Sequence, residues 1–371
     1  MKFTRKYKMK VGILTIHNVS NYGAVLQAYA LKEIVKEKYD VNIINFDNRH
    51  VSKSLDYVRF GVGFHSCLGT AKDIFRIIPR MRVIPKFKNF ISEDMDIVPY
   101  TTDQVEKFDT LISGSDQIWN PACVSQEKRF IPEYFLSFAK SDQKKVAYAS
   151  SCGAYKYSPA EEAVLSGYLS AYDALSTRES SASKYLSSLT AREVKHVLDP
   201  TLLLIKEEWL ERLGDNNFRE GDYILLYVIK KTPLLKQVIN KLKEELNVKV
   251  ILCEQGIYFD NVVDEHIRDA GPRDFISLFN NAKFVVTDSF HGTTFSLIFN
   301  KPFFSVSPGA NVNRISSLLE LVGLDSRIIH DENSLKSIDL SHYNLDFTEA
   351  NERLEYERKK SKDYLFSSLE M

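Results

Sequence analysis

Short apolar runs that break into polar, small-residue turns and resume with helical periodicity recur along this chain. That alternation constrains the fold more than any other feature. The clearest copy is Val285-Val286-Thr287-Asp288-Ser289-Phe290-His291-Gly292, which reads as a buried strand end, a polar turn and the start of a helix over 292–300. Earlier in the chain, strands are expected at 11–15, 41–46, 110–112, 146–149, 174–176 and 196–198, with helices at 24–38 and 179–189. After a linker containing Gly214-Asp215-Asn216-Asn217 the pattern restarts. Strands at 223–229, 248–252, 284–287 and 303–306 then alternate with helices at 233–246, 274–281, 292–300 and 314–322. Strands alternating with helices build parallel sheets, and 371 residues exceed what one core usually serves. The expected fold is therefore α/β, with two Rossmann-like domains whose parallel sheets face a cleft. Residues 1–205 form the first domain, with an insertion of short helices at about 47–102, and residues 206–345 form the second. A helix in 346–371 is expected to pack back on the first.

Lys plus Arg and Asp plus Glu each number 49, so the chain as a whole has no electrostatic pull toward nucleic acid. Two local stretches are basic. One is the set Lys2, Arg5, Lys6, Lys8 and Lys10. The other is Arg76, Arg80, Arg82, Lys86 and Lys88, interleaved with Ile77, Ile78, Met81, Val83, Ile84 and Phe87. The second stretch suits either a solvated helix flank or peripheral contact with an anionic membrane face. Cys67, Cys123, Cys152 and Cys253 form no CxxC pair, which excludes the usual spacing of a zinc site or disulfide framework. With no apolar run near membrane-spanning length and no signal-peptide core, the expected location is the cytoplasm.

Polar segments follow most of the expected strands. His17-Asn18-Val19-Ser20-Asn21-Tyr22-Gly23 precedes a helix and reads either as an anion-binding turn or as a capping loop with Asn21 or Ser20 as N-cap. Ser113-Gly114-Ser115-Asp116-Gln117-Ile118-Trp119-Asn120 combines hydrogen-bonding groups with an aromatic face, as sugar sites do. The bland alternative is an Asx-type turn beside a core tryptophan. Cys152 has no neighbour to lower its pKa and reads as structural. Arg178 opens a helix and either clamps an anion or pairs with an internal acid, while Asp199 before Pro200 reads as a turn residue. Asp288, Ser289 and His291 are the strongest catalytic candidates, because a strand-end histidine can exchange protons near neutral pH. Asn311, Asn313 and Arg314 precede the next helix and are candidates to reach the same cleft.

Asn21-Tyr22-Gly23-Ala24 with Gln27, Gly114 to Asn120, Arg178-Glu179, Asp199-Pro200-Thr201 and Asp288 to Gly292 together resemble the polysaccharide pyruvyl transferase family, in order and over roughly residues 10–325. The resemblance implies a glycosyltransferase-B-like fold. It also implies transfer of pyruvyl from phosphoenolpyruvate to two hydroxyls of one sugar, giving a ketal in capsule, exopolysaccharide or cell-wall polymer synthesis. No cofactor is implied beyond phosphoenolpyruvate as co-substrate. The partner is a sugar acceptor, often a lipid-linked saccharide at the inner membrane face. His291 matches the family's acid/base histidine, with Asp288 beside it. Arg178, Ser289, Gly292 and Arg314 fall to the donor, and Asn18, Asn21, Tyr22, Ser115, Asp116, Gln117 and Trp119 to the acceptor. Some members carry arginine where this chain has Ser289, and Arg314 is the candidate substitute. The alternatives are a nucleotide-sugar glycosyltransferase of the same architecture, or a saccharide-binding protein without catalysis.

Overall fold

The computed structural model describes residues 8–58, 76–214, 218–256, 260–306, 312–337 and 344–370. The chain divides into two units, one formed by Met1–Lys53, Asn89–Leu203 and Glu357–Met371, the other by Ser54–Lys88 and Leu204–Tyr356.

The first unit is built on β1 (Lys10–Leu14), β2 (Asp40–Asn45), β3 (Ile97–Pro99), β4 (Thr110–Ser113) and β5 (Lys144–Ala147), ordered β3-β2-β1-β4-β5 and all parallel. Val11, Ile13 and Leu14 are fully buried, as expected of a central strand covered on both faces. A two-stranded parallel extension, β6 (Ser176–Thr177) with β7 (Lys195–His196), continues through single bridges from Val146 to Ala174 and Ser150 to Thr177. The helix Thr348–Glu370 brings Ser361 to the Leu198 amide at 2.9 Å, while the Arg358 Nε donates to the Leu202 carbonyl at 2.8 Å.

The second unit carries β8 (Tyr223–Tyr227), β9 (Lys249–Cys253), β10 (Glu265–Ile267), β11 (Phe284–Thr287), β12 (Phe303–Val306) and β13 (Ile328–Ile329), in the parallel order β10-β9-β8-β11-β12-β13. Its helix Pro233–Leu246 shows why the local sequence folds as it does. Thr232 caps it by accepting from the Leu235 amide, and Pro233 sits where its missing N–H is harmless. Leu235, Val238, Ile239, Leu242 and Leu246 recur at helical spacing and bury against Ile224, Val250 and Val286 of the sheet.

The segment 47–102 departs from the sequence expectation. Part of it belongs with the second unit, and the division falls within one helix of 18 residues, Ile77–Asp94, where short helices were expected. Val83, Ile84, Phe87, Phe90 and Ile91 are its buried stripe. Its cations are less available than their number suggests. Arg80 is buried and donates to the carbonyls of Tyr57, Ser54 and Asp56, and Lys86 pairs with Asp274 at 2.6 Å. Ile78, Met81, Arg82 and Lys88 remain on the exposed side. Cys67, residues 215–217 of the linker and Asn311 lie outside the described residues, as does the side chain of Asn313. No helix among the described residues is long and apolar enough to cross a membrane.

Candidate active site

Strand order reverses between β1 and β4 in the first sheet and between β8 and β11 in the second. In open parallel sheets the loops at the carboxyl ends of such strand pairs form the crevice in which ligands bind. Two loop pairs therefore matter: His17–Asn21 with Gly114–Asn120 in the first unit, and Val228–Lys231 with Asp288–His291 in the second.

In the first unit, the loop after β1 is organised by side chains rather than by glycine. Asn21 caps the helix Tyr22–Lys36 by accepting from the Ala24 amide at 3.1 Å. His17 is buried between the Thr15 carbonyl at 3.0 Å and Asn45 Oδ1 at 3.2 Å. Burial lowers its pKa below the usual 6.5, with those two contacts opposing the shift. After β4, Asp116 adopts a left-handed conformation (φ 73°), and its Oδ1 accepts from the Gln117 amide at 2.8 Å. Gln117 Oε1 accepts from Asn120 at 2.9 Å. Asn18, Asn21, Asp116 and Gln117 retain solvent exposure; Tyr22, Ser115 and Trp119 do not.

Trp119 corrects the expectation of a sugar-stacking face. Its ring is fully buried, lies parallel to Phe135 at 6.0 Å and meets Tyr172 edge-on, so both faces serve the core. Arg178 is a second correction. Its guanidinium has no exposed surface and faces Asp199 at 2.8 Å, Glu179 at 3.4 Å and Asp116 at 3.4 Å. Burial disfavours its charge, yet Asp199, Glu179 and Asp116 outweigh burial and raise its pKa further. Asp199 is saturated in turn, accepting from Ser115 at 3.0 Å and from the Thr201 amide and hydroxyl at 3.0 and 2.7 Å. A fork enclosed by the chain's own carboxylates is a brace, not a donor contact. Cys152 is buried and its thiol is pushed up to about 12 by desolvation, which makes it inert.

In the second unit the structure brings Asp288, Ser289, His291, Gly292 and Arg314 together. Ser289 is the N-cap of the helix Phe290–Ile298, so His291 is its second residue, half-buried, with its ring edge-on to Phe290 at 5.3 Å. The Arg314 guanidinium stands 6.0 Å from the Phe290 ring centre. The positive end of the helix dipole favours an anion here. Gly292 is required by a close approach: a methyl there would collide with the Thr287 hydroxyl and lie 2.8 Å from the Thr287 Cβ. Asp288 is a correction to its expected catalytic role. Its oxygens accept from the backbone amides of Ile229 at 2.5 Å and Lys230 at 2.7 Å. Burial raises its pKa, against the lowering effect of those amides. It holds the neighbouring loop, which makes it a positioning residue. That loop, Val228 to Lys231, was missed as a site element because 223–229 reads as uninterrupted strand, whereas β8 stops at Tyr227. The signal was present in Lys230-Lys231-Thr232-Pro233, a polar run before a helix like the others.

Two parallel sheets with their polar loops at the switch points define a glycosyltransferase-B-like α/β protein. The solved structures it resembles agree: UDP-GlcNAc 2-epimerase from Methanocaldococcus jannaschii (TM-score 0.53, 14% identity, 91% of this chain and 94% of that one) and UDP-GlcNAc 2-epimerase from Neisseria meningitidis bound to UDP-GlcNAc (TM-score 0.50, 12% identity, 97% and 99%). At such identities the likeness is one of fold. No match was found among curated proteins. The sequence profile of polysaccharide pyruvyl transferases matches residues 21–309, and the chain belongs to that family.

Proposed function

We propose that this protein transfers the pyruvyl group of phosphoenolpyruvate to two hydroxyls of one sugar residue, forming a cyclic ketal during synthesis of a capsule, exopolysaccharide or cell-wall polymer. The observation that carries the reading is His291 at the second position of the helix after β11, beside the switch point and inside the region of family match. Protonation of the donor's methylene carbon makes C2 an oxocarbenium centre, which the first sugar hydroxyl attacks. Phosphate departure regenerates the electrophile for the second hydroxyl. His291 is the group suited to these proton transfers. The amides at the start of its helix and Arg314 suit the donor's negative charge. Asn18, Asn21, Asp116 and Gln117 are the acceptor residues in this reading, being those of the expected acceptor set that keep solvent exposure. A lipid-linked acceptor at the cytoplasmic membrane face fits the exposed side of the helix Ile77–Asp94, where Ile78 and Met81 are exposed together with Arg82 and Lys88. The test is incubation with phosphoenolpyruvate and a panel of glycans, following phosphate release and glycan mass. Phosphate release coupled to gain of one ketal supports the reading. Turnover of nucleotide sugars with none of phosphoenolpyruvate would replace it with glycosyl transfer.

A further inference from the structure

We infer that Lys230 binds the phosphate of the donor, and that Asp288 acts through it by fixing the loop that carries it. This rests on the donor proposed above and adds a residue to that site. Thr287 and Tyr227 are register partners at the ends of β11 and β8, and the Thr287 hydroxyl donates to the Tyr227 carbonyl at 2.6 Å. The chains then leave the sheet side by side. Asp288 takes the amides of Ile229 and Lys230 on its two oxygens, so the Lys230 backbone is tied to the residue that precedes Ser289.

The two lysines of the loop differ. Lys231 is paired with Glu254. Lys230 is exposed and, among the described residues, forms no salt bridge, although its charge acts on Asp288. A cation without a salt bridge at the switch point, on a backbone pinned by a buried carboxylate, is available to a ligand at the start of the helix Phe290–Ile298. The phosphate is the suitable group, because an ammonium acts as a mobile point charge, whereas planar carboxylates favour the fork of an arginine. Ser289 carries no charge there, and Lys230 supplies from the adjacent loop what that position lacks.

The experiment is calorimetric titration of the full chain with phosphoenolpyruvate, inorganic phosphate and pyruvate. Lys230→Gln should weaken phosphoenolpyruvate and phosphate binding by roughly ten- to hundred-fold and leave pyruvate unchanged, with Lys230→Arg recovering most of the loss. Lys231→Gln should change none of the three. Asp288→Asn should weaken phosphoenolpyruvate binding in the parent but add nothing in the Lys230→Gln background. A merely structural Asp288 would lower affinity equally in both. Undiminished binding by Lys230→Gln overturns the inference, as does an equal loss in Lys231→Gln or a loss confined to pyruvate. If the unaltered protein binds no phosphoenolpyruvate, the proposed reaction itself falls, and that failure shows before any variant is made.

Discussion

Gly292→Ala is the sharpest test of how the His291 site is built. The added methyl collides with the Thr287 hydroxyl, which already donates to the Tyr227 carbonyl at 2.6 Å and accepts from the Ser289 amide at 3.1 Å. If Thr287 rotates away, two buried groups lose partners, at about 1–3 kcal/mol each. If the helix moves off instead, overpacking costs about 1–3 kcal/mol. The cheaper route decides, and alanine's better helix propensity returns at most about 1 kcal/mol, leaving a net loss of roughly 1–2 kcal/mol. The two tryptophans allow a local readout, since Trp119 lies in the first unit and Trp209, in the second, packs on Phe295 of the same helix at 5.4 Å. In a Trp119→Phe background, urea unfolding followed by Trp209 fluorescence should show an earlier midpoint for Gly292→Ala. Thr287→Ala removes the hydroxyl and the methyl but keeps the Cβ, so Gly292→Ala should cost less, though not nothing, in that background. An unshifted midpoint, or the same loss with and without Thr287, would refute the close-approach argument.

Three further outcomes are expected. His291→Gln should leave the midpoint unchanged while cutting phosphate release by roughly two to four orders of magnitude, the range for a lost acid–base group; activity near the parent's would remove His291 from the chemistry. Arg178→Gln leaves three carboxylates around a neutral side chain and should destabilise the first unit by about 3–5 kcal/mol, read by Trp119 in a Trp209→Phe background. Intact stability with lost phosphoenolpyruvate affinity would instead return Arg178 to the donor site. Because burial lowers the His17 pKa below 6.5, the unfolded chain takes up this proton first. Its contribution to stability is therefore full above about pH 6.5 and declines as pH falls toward the folded-state value; His17→Gln should flatten the slope of urea midpoint against pH below 6.5.

The central strands were legible because parallel strands buried on both faces are written as continuous apolar runs, as in Val285-Val286 and Ile224-Leu225-Leu226. The strands that escaped notice, β3, β10 and β13, are two or three residues long and lie at sheet edges, where pairing rather than composition makes the strand. Pro79 and Pro85 concealed the helix Ile77–Asp94, although its buried stripe has helical spacing. At the candidate site, position along the chain was readable and direction was not. Trp119 and Arg178 stand in the loops expected of functional residues, but inward rotation hands one ring to Phe135 and one guanidinium to Asp199. No local pattern separates an arginine that awaits a ligand from one already enclosed, when two of its three carboxylates lie more than 20 positions away. Lys230 shows the converse, since its importance depends on Asp288, 58 positions along the chain.

The first unit is assembled from three separate stretches of chain, and the last of them, Glu357–Met371, arrives after the whole second unit has been made. On the ribosome, β1 to β7 would emerge and wait, with the Leu198 amide and the Leu202 carbonyl lacking the Ser361 and Arg358 partners that lie more than 150 residues downstream. Closing so long a loop is slow, and sheet surface left uncovered meanwhile is prone to stick to other chains. Synthesis order and completion order are thus inverted, with the second unit able to finish before the first. Premature termination shortly before residue 357 would leave the amino-terminal fold unsealed while sparing most of the second unit.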